Sequence, residues 1–170
     1  LKTKCLEMIE KIDHVTGTFY YSHKVRSNGH DVAILPFRRT ESGIEILLRK
    51  ELTPAWEPSG FKTNAITGGI ESGKTPKLAA IIEVREEGGY DVRESDLIDL
   101  GTIFISKIED TIYHLFAVDV TDLQQKELDP DSKLESMESC FWANEDLRYR
   151  IDDALVYVLM GRLNYGNHNE

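Results

Sequence analysis

One stretch constrains this chain more than any other. Gly68-Gly69-Ile70-Glu71-Ser72-Gly73-Lys74 leads through Thr75-Pro76 into an apolar-rich run that stops at Gly88-Gly89-Tyr90. Thr75 suits a helix N-cap, Pro76 suits the first helical position, and paired glycines end a helix. The spacing therefore predicts a helix over 76–87. At ~100° per residue, Glu83, Glu86 and Glu87 share an arc of about 100°, and Lys77 and Arg85 point away from it. Like charges so spaced repel by some tenths of a kcal/mol per pair. They also lie in the last turn, where the helix dipole disfavours anions. Leu78, Ala80, Ile82 and Val84 flank the arc, so it is not the bare polar side of a surface helix. A hard divalent cation with oxygen ligands would offset the repulsion, and a solvated acidic stripe is the plain alternative.

The rest of the chain supplies strands around this helix. Asp31 to Phe37 and Ile44 to Arg49 read as apolar strands joined by a turn at Thr40-Glu41-Ser42-Gly43. Leu97 to Ser106 and Thr111 to Val120 read as a hairpin, Cys140 to Trp142 as a short strand, and Ile151 to Leu163 as a closing helix. Ahead of them, Leu1 to Ile12 reads as a short amphipathic helix with Leu1, Cys5, Met8, Ile9 and Ile12 on roughly one face, and Thr16 to Tyr21 reads as a strand. Glu51 to Lys62, with Pro54, Trp56 and Pro58, reads as a surface loop, and Thr121 to Ser139 as an acidic one. No repeat or linker divides the chain, and 170 residues suit one mixed α/β domain. The expected division is an extension over 1–30, a core over 31–163 and a tail over 164–170.

Charge narrows the function classes. Thirty acids against 20 bases give a net charge of −10, unsuited to a nucleic-acid backbone, which is bound through Lys and Arg. No apolar run approaches the ~20 residues that span a bilayer. Two cysteines, Cys5 and Cys140, are too few for a disulfide framework, and a reducing cytoplasm fits best. The five histidines show no metal-ligand spacing.

The segment Gly68 to Tyr90 resembles the Nudix box, G-x5-E-x7-R-E-U-x-E-E-x-G-U, where U is aliphatic or aromatic. Gly68, Glu83, Val84, Glu86, Glu87, Gly89 and Tyr90 match seven of the nine specified positions in an unbroken frame. Two depart: Lys74 stands for the first glutamate and Ile82 for the arginine. Both charges of a possible pair are missing together, which avoids an unpaired charge, and Ile82 is expected to hold the helix by packing instead.

The resemblance implies an α/β/α sandwich with a mixed sheet, and hydrolysis of a diphosphate in a nucleoside diphosphate-X compound with Mg²⁺ or Mn²⁺. By the same resemblance Glu83, Glu86 and Glu87 hold the metal with a carbonyl at Gly68, and Glu86 and Glu87 are catalytic. An acid outside the box often assists in this family; Glu138 is favoured, then Glu135, with Glu127 as a third candidate. Arg49 and Lys50 are candidates for the substrate's phosphates, and Trp56 and Phe61 for stacking on a base or sugar. Cys140 and Trp142 do not resemble the set of the isopentenyl diphosphate isomerases. The strand ending at Lys50, the loop after it and the extension are similar to those of ADP-ribose and nucleotide-sugar pyrophosphatases, although the proline these often carry past the box is missing. ADP-ribose or a nucleotide sugar comes first, nucleoside triphosphates second, and a Nudix-like module that binds a nucleotide without cleaving it third. The resemblance also implies a homodimer, paired through the extension.

Overall fold

The computed structural model describes residues 6–13, 17–56, 58–128, 138–144 and 151–166. The sheet assembles around β3 (His30–Thr40), whose apolar run is buried throughout its middle. On one side β3 pairs in parallel with β8 (Ile112–Asp119), which is closed by antiparallel β7 (Leu97–Phe104) with a bulge between Asp99 and Thr102. Its other edge is divided. Asp31 to Ile34 pair with β6 (Ile66–Gly69), and Phe37 to Thr40 with β4 (Gly43–Leu52). Pro36, which has no N–H to donate, lies at the changeover. Strand β4 carries β9 (Ser139–Ala143) and β5 (Phe61–Asn64) on its further stretches.

Alternation along β3 feeds two cores. Val32 and Ile34 pack with Ala79, Ala80 and Val84 of α1 (Pro76–Glu86). Ala33, Leu35 and Phe37 pack with Leu155, Val156, Leu159 and Leu163 of α2 (Ala154–Gly166). The result is the expected α/β/α arrangement with a mixed sheet. Helix α1 starts where the sequence predicts, with Leu78 N donating to Thr75 Oγ1 over 3.2 Å. Its grip on the sheet differs from expectation: Ala79, Ala80 and Val84 are buried there, and Ile82 lies on a cavity wall. A short apolar face lets the helix sit close to the strands.

Asp153 ties α2 to the far side of the sheet, accepting from Ala65 N and Leu155 N, each over 2.9 Å. Burial raises its pKa, and the two N–H donors oppose that shift. Asp153→Ala leaves both donors buried without their acceptor, at about 1–3 kcal/mol each. The expected result is a clear fall in melting temperature by calorimetry, with the helical signal retained.

The N-terminal reading needs correction. Residues 6–13 are not helical: β1 (Leu6–Asp13) pairs antiparallel with β2 (Gly17–Lys24), from Leu6 opposite Lys24 to Asp13 opposite Gly17. Leu1 to Cys5 lie outside the described residues. Apolar residues at helical spacing do not secure a helix when a Thr- and Tyr-rich partner follows within a few residues. Gly17, at φ +96°, takes a backbone conformation that other residues avoid where the chain enters β2. The ribbon is attached where Ser22 N donates to Ile108 O over 2.8 Å and His23 Nδ1 meets Asp110 at 2.9 Å.

Candidate functional site

The end of β6 and the last turns of α1 meet face to face. Glu83 packs so closely over Gly68 that a Cβ built there would fall inside its carboxylate. Glycine at 68 therefore leaves the space that Glu83 occupies. Gly89, at φ +77°, ends the helix and lies against the Lys126 carbonyl. Lys126 N donates back to Gly89 O over 2.7 Å, and Gln125 Nε2 to Gly88 O over 2.9 Å, so the acidic segment after β8 is stitched to the helix end.

These elements wall a cavity of about 830 Å³. Glu83, Glu86, Glu87, Gly68, Glu127 and Glu138 all line it. Arg49 lines it too, but it is not poised as an exposed phosphate hook. Its side chain is 5% exposed, with Nη1 in an ion pair with Glu87 and Nη2 bonded to Glu138. Glu138 Oε1 also accepts from Leu52 N over 3.2 Å, so both its oxygens are engaged. Glu135 lies outside the described residues. Lys50 is exposed and takes no part in the cavity wall, and the same holds for Trp56 and Phe61. Strand alternation turns Lys50 to the face opposite Arg49.

Sequence reasoning missed the basic part of the cavity lining. Lys24, Arg26 and Lys74 bring positive charge to the cavity, together with Ser27 and Asp31. Lys24 pairs with Asp31, and Lys74 with Glu71 at 2.9 Å. Ser27 and Asp31 are 6% and 4% exposed, and Ser27 Oγ and Asp31 Oδ1 have no hydrogen-bond partner. Both sit near Gly69, within 3.8 Å of where a Cβ would be. The early-glutamate position thus carries a cation, Lys74, whose pKa is raised by Glu71 first and also by Glu86 and Glu83. Lys77 and Arg85 are occupied elsewhere, by Glu94 at 3.7 Å and Asp91 at 3.1 Å. Only the departure of Lys74 from the box pattern hinted at this part of the lining.

Cys140 lies on the cavity floor and donates to the Glu87 carbonyl over 2.7 Å. Burial pushes its thiol up to about 11, so it stays protonated and is no nucleophile.

Carboxylate oxygens are the donors that hard divalent cations prefer. Three of them on one helix end fit such an ion in kind, and Glu87 Oε2 is buried without a hydrogen-bond partner. Among the described residues, however, no three His, Cys, Asp or Glu side chains converge into a ready-made cage.

Among the described residues no helix is long and apolar enough to cross a membrane. No curated protein sequence matches the chain. The crystal structure of an ADP compounds hydrolase is similar, with a TM-score of 0.60 and 15% identity over 95% of this chain and 86% of that one. At that identity the likeness is one of fold. The NUDIX domain profile matches residues 27–157, most of the chain and all of the box. With the box residues and the layered fold in agreement with it, the chain belongs to the NUDIX family of pyrophosphohydrolases.

Proposed function

We propose that the protein hydrolyses the diphosphate bond of a nucleoside diphosphate-X compound, ADP-ribose or a nucleotide sugar first, using Mg²⁺ or Mn²⁺. The observation that carries this reading is one cavity lined both by the Glu83, Glu86 and Glu87 carboxylates and by Lys24, Arg26 and Lys74. A diphosphate needs cations, and a cation site needs the acids. Glu83, Glu86 and Glu87, with Gly68 beneath Glu83, would hold the ion. When bound, a divalent cation neutralises charge developing on phosphoryl oxygen and lowers the pKa of water. Lys24, Arg26 and Lys74 take over the phosphate-facing role first expected of Arg49 and Lys50. Ser27 Oγ and Asp31 Oδ1, buried and unpartnered, suit sugar hydroxyls, which both donate and accept. Glu138 serves here by holding Arg49.

The test is a panel of ADP-ribose, nucleotide sugars and nucleoside triphosphates, each with Mg²⁺ or Mn²⁺, read as phosphate release in the presence of phosphatase. Turnover of a diphosphate-X compound that stops in excess EDTA is expected. Full hydrolysis in EDTA would remove the metal from the reading, and tight binding without turnover would make the protein a nucleotide-binding module.

We also propose that it works as a homodimer in a reducing compartment. The β1–β2 ribbon exposes Leu6, Met8, Phe19 and Tyr20, and Phe104, Ile105 and Ile108 are exposed at or near the segment that anchors it. Exposed apolar side chains gathered on and near one ribbon suit an association surface. Light scattering at micromolar concentration should give twice the chain mass, and a monomeric mass would refute the pairing.

A further inference from the structure

The box lacks its arginine, yet a guanidinium reaches its last glutamate from elsewhere. Ile82 occupies the arginine position on α1 and carries no charge. Arg49 comes instead from β4, where its backbone pairs with Asn64 of β5 and Cys140 of β9. That register sets it under the C-terminal end of α1. Its planar fork divides between two carboxylates, Nη1 toward Glu87 and Nη2 toward Glu138, which are 16% and 8% exposed. Glu51, itself held by Asn64 Nδ2 at 2.8 Å, stands 4.0 Å from Nε. Glu87 Oε1 is held by the ion pair with Nη1 and not by a hydrogen bond, and Nη1 and Glu87 Oε2 are both buried without a hydrogen-bond partner.

We propose that Arg49 is a positioning residue for Glu87: the buried guanidinium holds one carboxylate oxygen in an ion pair so that Oε2 is presented as the ligand or acceptor. The proposal rests on the reading of Glu87 as a metal-holding residue. A buried arginine with two carboxylates on its fork can orient both, whereas a lysine is a single point charge on a flexible stem. Charge alone is thus not the function. The geometry of the fork is.

Arg49→Lys separates the two, because it keeps the charge and removes the fork. The expected result is Mn²⁺ affinity, measured by calorimetry on the folded protein without substrate, weakened at least tenfold. Turnover at saturating metal and substrate should fall about tenfold, with KM for the substrate changed less than threefold. An arginine that bound phosphate would do the reverse, raising KM and leaving Mn²⁺ affinity alone, and that outcome would overturn the proposal. So would Mn²⁺ affinity within twofold of the parent. A parent protein that binds no Mn²⁺ would instead overturn the metal reading beneath it.

A second measurement needs no variant. In protein labelled with ¹⁵N-arginine, the Arg49 guanidinium should give resolved, slowly rotating N–H signals, and these should persist at saturating Mg²⁺. Collapse to averaged signals on adding Mg²⁺ would mean that Arg49 lets go of Glu87 when the ion binds. That would make it a competitor of the ion and not its support.

Discussion

Glu86→Gln and Glu87→Gln should each lower turnover by at least ~10², because losing an anionic donor at a charge-stabilising site costs several kcal/mol of transition-state stabilisation. Their metal-free stabilities should diverge. Helical spacing alone says that removing either charge relieves repulsion within the arc. The structure reverses that expectation for Glu87, whose partner Arg49 is buried and would lose one arm of its fork. Breaking a buried pair from one side costs about 3–5 kcal/mol when the charge is removed outright, and less for Gln, which still offers an acceptor. Glu87→Gln should therefore melt well below the parent in EDTA, and Glu86→Gln should melt close to it. Glu71→Gln is the control. Glu71 is exposed and outside the arc, paired with Lys74 and 3.8 Å from Arg26, and turnover should stay within a few-fold. Parallel turnover and melting curves, with and without Mg²⁺, decide the matter; unchanged turnover in Glu86→Gln and Glu87→Gln would leave the acidic arc without a catalytic part.

Gly68→Ala should be nearly as damaging for a different reason. The added methyl would occupy space that the Glu83 carboxylate already fills, so the glutamate or β6 has to move. Because the atoms met are the flexible end of Glu83 on a cavity wall, the side chain should swing away and stability should change little. Displacing Glu83 should lower turnover by ~10² as well, since Glu83 is one of the three acids. Gly161→Ala provides the contrast. Nothing lies within 4 Å of its added methyl, in the middle of α2, and alanine there should leave activity intact and raise stability by up to about 1 kcal/mol. Melting temperatures and initial rates of the pair separate a crowded glycine from an incidental one. A fully active Gly68→Ala would show that Glu83 works from another position than the one over Gly68.

What could be read from the sequence was local, and what could not was brought together by strand register. Helix α1, its Thr75 cap and its Gly88-Gly89 stop follow from neighbouring residues alone. So do β3 and β4 with the turn between them. The extension misled because Leu1, Cys5, Met8, Ile9 and Ile12 satisfy a helical period, and only pairing with β2 decides otherwise. Arg49 reads as a strand-end cation until β4 is seen lying beneath the end of α1 with Glu138 beside it. Lys24, Arg26, Ser27 and Asp31 show no motif at all. They matter because the attachment of the ribbon at Ser22 and the pairing of Asp31 with Gly69 bring them to the mouth of the glycine turn. Trp56 had the right chemistry for stacking, but it sits in the loop that closes the β4–β5 hairpin and does not line the cavity.

The divided edge of β3 has a consequence for how the chain comes to be folded. Its antiparallel neighbours are close in sequence, but its parallel neighbour β8 sets His30 opposite Ile112 and Phe37 opposite Asp119, with the whole box strung between them. Bringing such distant segments together costs loop-closure entropy before any contact repays it, and topologies rich in these pairings fold slowly. During synthesis, α1 leaves the ribosome before β8 can support its sheet and long before Cys140 closes the cavity floor. Until then its three glutamates repel one another in an 11-residue segment too short to hold a helix on its own. The nascent acidic segment therefore stays unstructured, and the cavity closes only once most of the chain has been made.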